Sequence, residues 1–316
     1  MAGAASYEYL LGRDRTCLRY EHKCTRRILC FLYCMNLFPS KSEFQRWRAT
    51  VSSPVVLVPT MGALHEGHLN LMREGRRLAG EQGKVVTSIF VNPLQFGPKE
   101  DFAKYPRELE ADAEKCRSAG VDAIFAPTRD DMYSPDRSII VLEKSLSQVL
   151  CGASRPGHFD GVCTVVLKLF NITAPQSAIF GKKDYQQLAI IRRMVRDLDV
   201  PVELIGFETV RETDGLAMSS RNRYLGEEER RQAPTIRRAL LEARDRWHGG
   251  EHDSGALLEG FRRRLQEEAP LSRVDYIACV DKETLEPQGQ ADARGLLAAA
   301  VFFGATRLID NLELAG

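Results

Sequence analysis

Two of the six histidines, His65 and His68, fall in the stretch Pro59-Thr60-Met61-Gly62-Ala63-Leu64-His65-Glu66-Gly67-His68. Imidazoles on a glycine-marked turn suit a phosphate ligand. The rings donate hydrogen bonds that follow charge onto a leaving group, and glycine lets phosphate oxygens approach the backbone closely. The spacing argues against a helical zinc site, which needs histidines four apart on one unbroken helix. Here Gly67 stands between two histidines three apart. The plain structural alternative is a capped turn with incidental histidines, and the position directly after a strand weighs against it.

Three further loops carry polar side chains. Asn92 and Gln95 lie in the Pro- and Gly-framed turn Asn92-Pro93-Leu94-Gln95-Phe96-Gly97, and neutral amides suit the hydroxyl and carboxylate groups of a small substrate. Asp112 follows on a helix whose polar face is mostly solvated, and its carboxylate is a candidate ligand for Mg2+. Gly181-Lys182-Lys183-Asp184-Tyr185-Gln186-Gln187 combines backbone access, a lysine to neutralise phosphate and an aspartate able to accept from ribose hydroxyls or cap a helix. Met218-Ser219-Ser220-Arg221 places two hydroxyls beside an arginine, a clamp for a polyphosphate, with Gly215 as a hinge. Arg155 and His158 form a fifth, smaller candidate on the loop before an apolar stretch. Each of these loops alone also reads as ordinary turn chemistry or a solvated helix start.

The elements that must position these groups follow from periodicity. Apolar runs at 55–60, 84–91, 123–126, 139–142, 177–180 and 202–206 read as strands. Stretches 42–47, 69–79, 107–119, 162–172 and 185–198 read as helices, with Gly80 and Gly120 as stops. Alternating strands and helices with short connections make a Rossmann-like, doubly wound parallel sheet in an α/β domain. Right-handed crossovers then bring the strand-following loops to one edge. After residue 210 the pattern changes to helices at 227–247, divided by Pro234, and 257–268, then strands at 274–280, 296–303 and 306–312. That is a smaller C-terminal α+β domain. The expected division is an extension over 1–40, a nucleotide-binding domain over 41–209 and a lid over 210–316.

Composition bounds the function classes. The 316 residues are 44% hydrophobic and 28% charged, with a net charge of +1. A sizeable core can form, and nothing global points to nucleic acid or a membrane surface. No apolar run approaches the ~20 residues that cross a bilayer. The eight cysteines include no CxxC pair, and free thiols in a reducing compartment fit them best. Arg13, Arg15, Arg19, Lys23, Arg26 and Arg27 precede the apolar Ile28-Leu29-Cys30-Phe31-Leu32-Tyr33. This resembles a targeting leader only faintly, because the apolar part is short and acids are present. A poorly ordered or upstream extension is the favoured reading, and cytoplasm the expected location.

Taken together, the motifs resemble the pantoate–β-alanine ligase (pantothenate synthetase) family across residues 41–316. The stretch from Pro59 to His68 is similar to the nucleotidyltransferase histidine signature in that family's form. Phe90-Val91-Asn92-Pro93 with Gln95-Phe96, Tyr105-Pro106-Arg107, Phe180-Gly181 with Lys183-Asp184 and Gln186-Gln187, and Asp214-Gly215-Leu216-Ala217-Met218-Ser219-Ser220-Arg221-Asn222 match as well. The resemblance implies ATP-dependent condensation of pantoate with β-alanine through a pantoyl adenylate, with Mg2+, in a homodimer. It implies ATP binding by Met61, Gly62, His65, His68, Gly181, Lys182, Lys183, Asp184, Val210, Met218, Ser219, Ser220 and Arg221. His68, His65, Lys183 and Arg221 would be catalytic, with His68 in a proton-donor role. Gln95, Gln187, Asn92, Arg155 and His158 would hold pantoate or β-alanine. Lys182 departs from the family, many members of which carry glutamate there. Two rivals share the first loop: a nucleotidyltransferase that keeps the nucleotide on its product, and a non-catalytic nucleotide sensor.

Overall fold

The computed structural model describes residues 35–97, 102 and 105–316. Residues 1–34, and with them most of the expected extension or leader, lie outside the described residues. Nine strands are described: β1 (Asn36–Phe38), β2 (Val55–Thr60), β3 (Lys84–Ile89), β4 (Ala123–Phe125), β5 (Ser177–Gly181), β6 (Glu203–Phe207), β7 (Ser272–Asp281), β8 (Gly295–Phe303) and β9 (Thr306–Glu313). The first six form a parallel sheet in the order β1-β4-β3-β2-β5-β6. The helices around it are α1 (Lys41–Arg48), α2 (Glu66–Ala79), α3 (Leu109–Ser118), α4 (Arg129–Met132), α5 (Cys151–Ser154), α6 (His158–Thr173) and α7 (Tyr185–Asp197).

β2 shows why this sheet is covered on both faces. Val55 and Leu57 join the apolar cluster of Phe44, Phe159, Val166 and Leu188. Their neighbours Val56 and Val58 join the opposite cluster with Leu69, Met72 and Val85. Side chains alternate along a strand, so four apolar residues in a row require two buried faces. Chain order reverses at β2, which pairs with β3 on one side and β5 on the other. The carboxyl-end crevice at such a reversal is the ligand position of open α/β sheets.

The C-terminal part adds α8 (Glu227–Gln232), α9 (Thr235–His248), α10 (Ser254–Glu268) and the antiparallel sheet β7-β8-β9. Its helices pack Ile236, Leu240, Leu257 and Phe261 onto Leu297, Ala299 and Phe303. The alternate β8 residues Leu296 and Ala298 belong to the core of the parallel sheet. β8 is therefore apolar on both faces, which ties the two sheets into one body.

Two elements differ from the sequence reading. Asn36–Phe38 forms an edge strand parallel to β4, upstream of the boundary set at residue 41; three residues with two exposed leave almost no periodic signal. Ile139-Ile140-Val141-Leu142 is not a strand. Val141 N donates to Thr164 Oγ1 on α6 at 2.9 Å, while Ile139, Ile140 and Leu142 are exposed. An apolar run there satisfies a backbone donor with a side chain instead of a ladder partner.

Candidate active site

The histidine turn is built on a left-handed step. Gly62 and Ala63 both have positive φ, 83° and 52°. A buried carboxylate holds this strained geometry: Ala63 N and Leu64 N donate to Asp112 Oδ2 and Oδ1 at 2.8 and 2.9 Å. Lys115 Nζ grips the carbonyl of Leu64 at 2.8 Å. Gly62 is needed twice over, because a side chain would be strained at that φ and its Cβ would come within 3.1 Å of Asp112 Oδ2.

The turn then starts α2, and the histidines cap it. Gly67 N donates to His65 Nδ1 at 3.2 Å, and His65 N donates to His68 Nδ1 at 3.3 Å. A Cβ on Gly67 would lie 2.8 Å from the His65 ring, so glycine is what lets the ring fold over the turn. Both Nδ1 atoms accept, so both rings are neutral with the proton on Nε2. Electrostatics agrees. Burial, then Lys183 and Lys115, lowers the His65 pKa to about 4. Burial, then the neighbouring His65, Lys183 and Lys115, holds His68 well below its ordinary range. The rings offer Nε2–H hydrogen bonds, and neither carries a proton to give up near neutrality.

The Asn92 side chain is oriented by neutral groups. Asn92 is almost wholly buried. Its Oδ1 accepts from Tyr133 Oη at 2.8 Å and Leu94 N at 3.2 Å. Its Nδ2 donates to Gly161 O at 2.9 Å and Gln95 Oε1 at 3.0 Å. His158 Nδ1 and Arg155 Nη2 reach the main-chain carbonyl of Gln95 at 2.8 and 3.3 Å. Arg155 and His158, expected as substrate contacts, thus also clamp the turn that carries Gln95.

The third loop follows β5 into α7. Asn311 Nδ2 on β9 donates to the carbonyls of Lys182 and Lys183, at 2.9 Å each. Gln186 and Gln187 part company: Gln186 holds the chain near α5 through Cys151 N, Leu146 O and Val149 O, while Gln187 lines the cleft. In the fourth loop Ser219 caps the turn that carries Arg221. Its base is fixed by a bidentate Arg211–Asp310 pair at 2.7 and 2.9 Å.

A cavity of about 250 Å³ joins these parts, lined by Met61, His65, His68, Asn92, Gln95, Arg155, His158, Gly181, Lys183, Asp184, Gln187, Val210, Met218, Ser219, Ser220 and Arg221. A chamber of about 710 Å³ lies next to it against β9, sharing Arg155, His158, Lys183, Gln187 and Arg221. Nearly the whole expected set therefore converges. Gly62 acts through backbone shape rather than as wall. The Lys182 side chain is not part of either wall; it pairs with Glu208 and with Glu313. Asp112 is turned away from the cleft with both oxygens engaged by amides, and no group of three or more His, Cys, Asp or Glu side chains among the described residues gathers as a metal site. Tyr133 and Gly161 were missed, since a lone tyrosine after a helical turn and a glycine inside an apolar helix carry no local sign of what they touch.

Comparisons with known proteins identify the family. The family model for pantoate–β-alanine ligase matches residues 36–313. Pantothenate synthetase of Akkermansia muciniphila is 56% identical over 267 residues, covering 82% of this chain and 92% of the relative. That of Nitratidesulfovibrio vulgaris is 52% identical over 271 residues, covering 86% and 94%. The crystal structure of pantothenate synthetase from Thermus thermophilus superposes with a TM-score of 0.84 at 47% identity, covering 89% of this chain and 100% of that one. The ligase of Francisella tularensis, solved with β,γ-ATP and β-alanine, gives a TM-score of 0.72 at 30% identity, covering 89% and 98%.

Proposed function

The chain belongs to the pantoate–β-alanine ligase family, and on that premise we propose how its cleft performs ATP-dependent condensation of pantoate with β-alanine. The carboxylate of pantoate attacks the α-phosphorus of ATP, the bond to the bridging oxygen breaks, and pyrophosphate leaves. The amine of β-alanine then attacks the acyl carbon of the pantoyl adenylate, AMP leaves, and the amine proton passes to solvent. Pantoate lies between Gln95 and Gln187, and the triphosphate along the start of α2. His65 and His68 serve as neutral Nε2–H donors to the leaving phosphates, with Lys183 and Arg221 supplying charge. Donors set in advance where charge develops are the largest single source of such catalysis.

The observation that carries this reading is the capping pair at the start of α2, which fixes both imidazoles in one tautomer beside Lys183 and Gln95 in a single cavity. The Francisella tularensis ligase, solved with β,γ-ATP and β-alanine, supports the substrate assignment. The adjoining chamber is the route for β-alanine, since Arg155 and Arg221 on the shared wall can neutralise its carboxylate. The described side chains do not form a cage for Mg2+. Such an ion fits as a companion of the nucleotide's own phosphates, where it would offset their charge.

Location and assembly complete the proposal. The four described cysteines are free thiols, in keeping with a reducing cytoplasm. Exposed Ile139, Ile140 and Leu142 provide an apolar strip for a homodimer, which sedimentation with and without Ile139→Asp tests. The decisive assay for the reaction measures AMP release. Release that depends on both pantoate and β-alanine, with formation of the amide, supports the ligase. Nucleotide retained on the product would establish the nucleotidyltransferase alternative.

A further inference from the structure

We infer that Tyr133 and Gly161 are positioning residues that fix the Gln95 carboxamide with its NH2 group facing the cleft, where it donates to the carboxylate of pantoate. The inference rests on the proposed seat of pantoate at Gln95 and deepens it by assigning the polarity of that contact.

The polarity follows from groups that can play one role only. Leu94 N is a donor and Gly161 O an acceptor, so Asn92 must turn its oxygen to Leu94 and its nitrogen to Gly161. Tyr133 Oη, 2.8 Å from that oxygen, must then donate. Its ring is buried against Phe90, and burial pushes its ionisation far above the usual range, so the proton is always present. With Asn92 fixed, its Nδ2 meets Gln95 Oε1. That leaves the Gln95 NH2 as the cleft-facing end, and among the described residues it meets the weak acceptor Met61 Sδ at 3.0 Å.

Gly161 supplies the geometry. It lies on α6, and a Cβ there would sit 2.3 Å from Leu94 O and 2.7 Å from Gln95 N. Any side chain at 161 must push the turn away from the helix. A helix that packs backbone to backbone against the turn sets where Gln95 stands, and the Tyr133–Asn92 relay sets which way its amide points.

The experiment is steady-state kinetics of AMP release with pantoate and ATP varied separately. Tyr133→Phe keeps the ring and removes the hydroxyl. It should raise the KM for pantoate about tenfold, with kcat, ATP KM and melting temperature near wild type, the size expected for one lost hydrogen bond. Asn92→Asp keeps the size but can only accept, so the Gln95 amide should reverse and the loss in kcat/KM for pantoate should reach about 100-fold, the scale of a misplaced reacting group. Gly161→Ala should behave like Asn92→Asp, and if it fails to fold the other two variants decide. Pantoate KM within twofold of wild type in Tyr133→Phe and Asn92→Asp would overturn the inference. Gln95→Ala separates the two levels: if it too leaves pantoate KM unchanged, the seat of pantoate is wrong, whereas a large rise with silent Tyr133→Phe and Asn92→Asp condemns the relay alone.

Discussion

The turns after β2 and β3 are neighbours in one cleft, yet they are held by opposite means. The histidine turn leans on a fully buried carboxylate, Asp112. In the Gln95 turn the side-chain amides are set by neutral amides and a phenol, while Arg155 and His158 hold the main-chain carbonyl of Gln95. The difference matches the ligands proposed for them. A triphosphate needs amide and imidazole donors at the cleft surface, and a carboxylate placed behind the backbone can align those donors without facing the phosphate. Pantoate brings a single charge beside an already positive wall of Lys183, Arg155 and Arg221. There the scaffold's task is orientation, and neutral partners orient a side chain without altering the local charge.

The contrast breaks most readily at Asp112. Asp112→Ala would strand two buried amides and remove the carboxylate that lies 3.8 Å from the Lys115 ammonium, with an expected loss of about 3 kcal/mol in stability. Because the left-handed step at Gly62 and Ala63 then relaxes, activity should fall at least as far as with loss of a histidine. Denaturant unfolding and pyrophosphate release measure the two effects. Asp112→Asn should recover part of the stability, since its remaining oxygen still accepts. A variant of normal stability whose only defect is a raised Mg2+ requirement would instead make Asp112 a metal ligand.

His68→Ala tests the next level, the donor rather than its support. Loss of one preorganised donor typically costs about 10²–10³-fold in rate. Near-normal adenylate formation in this variant would remove His68 from the leaving-group role. The fold should survive, because Asp112 and Lys115 still hold the turn.

The pH dependence gives a smaller effect with a definite sign. The His65 pKa, lowered to about 4 by burial and then by Lys183, lies below its unfolded value of 6.5. Between those two values the unfolded chain binds more protons than the folded one, so stability is full above pH 6.5 and falls as pH drops towards 4. Rates should show no histidine inflection near 6.5. An NMR titration of the ring protons should place the His65 transition near pH 4, and Lys183→Met should move it upward. A His65 transition near 6.5 in the wild type would mean that this ring takes up a proton close to neutrality and that the neutral-donor reading of the pair is wrong.

Much of this cleft is legible in the residue string because parallel-sheet topology sends strand-following loops to one edge. Once β2, β3, β5 and β6 are recognised, His68, Gln95, Lys183 and Arg221 must approach one another. Legibility fails where a role depends on a partner distant in sequence. Asp112 reads as a metal candidate because its partners, Ala63 and Leu64, are main-chain amides 49 and 48 positions away. Tyr133 reads as nothing, since its partner Asn92 is 41 positions away. The stretch 139–142 reads as a strand because apolar composition cannot distinguish a ladder from an exposed strip.

Lys182 lies at the quiet end of the same scale. It stands where many family members carry glutamate, and its ammonium bridges Glu208, beyond β6, and Glu313 at the end of β9. The Glu208 carboxylate is largely exposed, whereas Glu313 is partly buried and is also reached by Lys282 at 3.3 Å and Tyr185 at 3.2 Å. Glu313 therefore keeps partners when Lys182 is lost, and the pair with the exposed Glu208 is of the surface kind that contributes about 0–1 kcal/mol. Lys182→Glu should cost about 1 kcal/mol at low salt through repulsion from the two acids, with most of the loss screened near ~1 M salt. Because the Lys182 side chain is part of neither cavity wall and touches the smaller one only through Glu208, ATP KM should stay within about threefold, less than one hydrogen bond's worth. A rise in ATP KM of about tenfold or more, the size of a lost hydrogen bond, would mean that Lys182 reaches the nucleotide, and the charge at position 182 would then belong to the phosphate side of the cleft rather than to the link between the sheets.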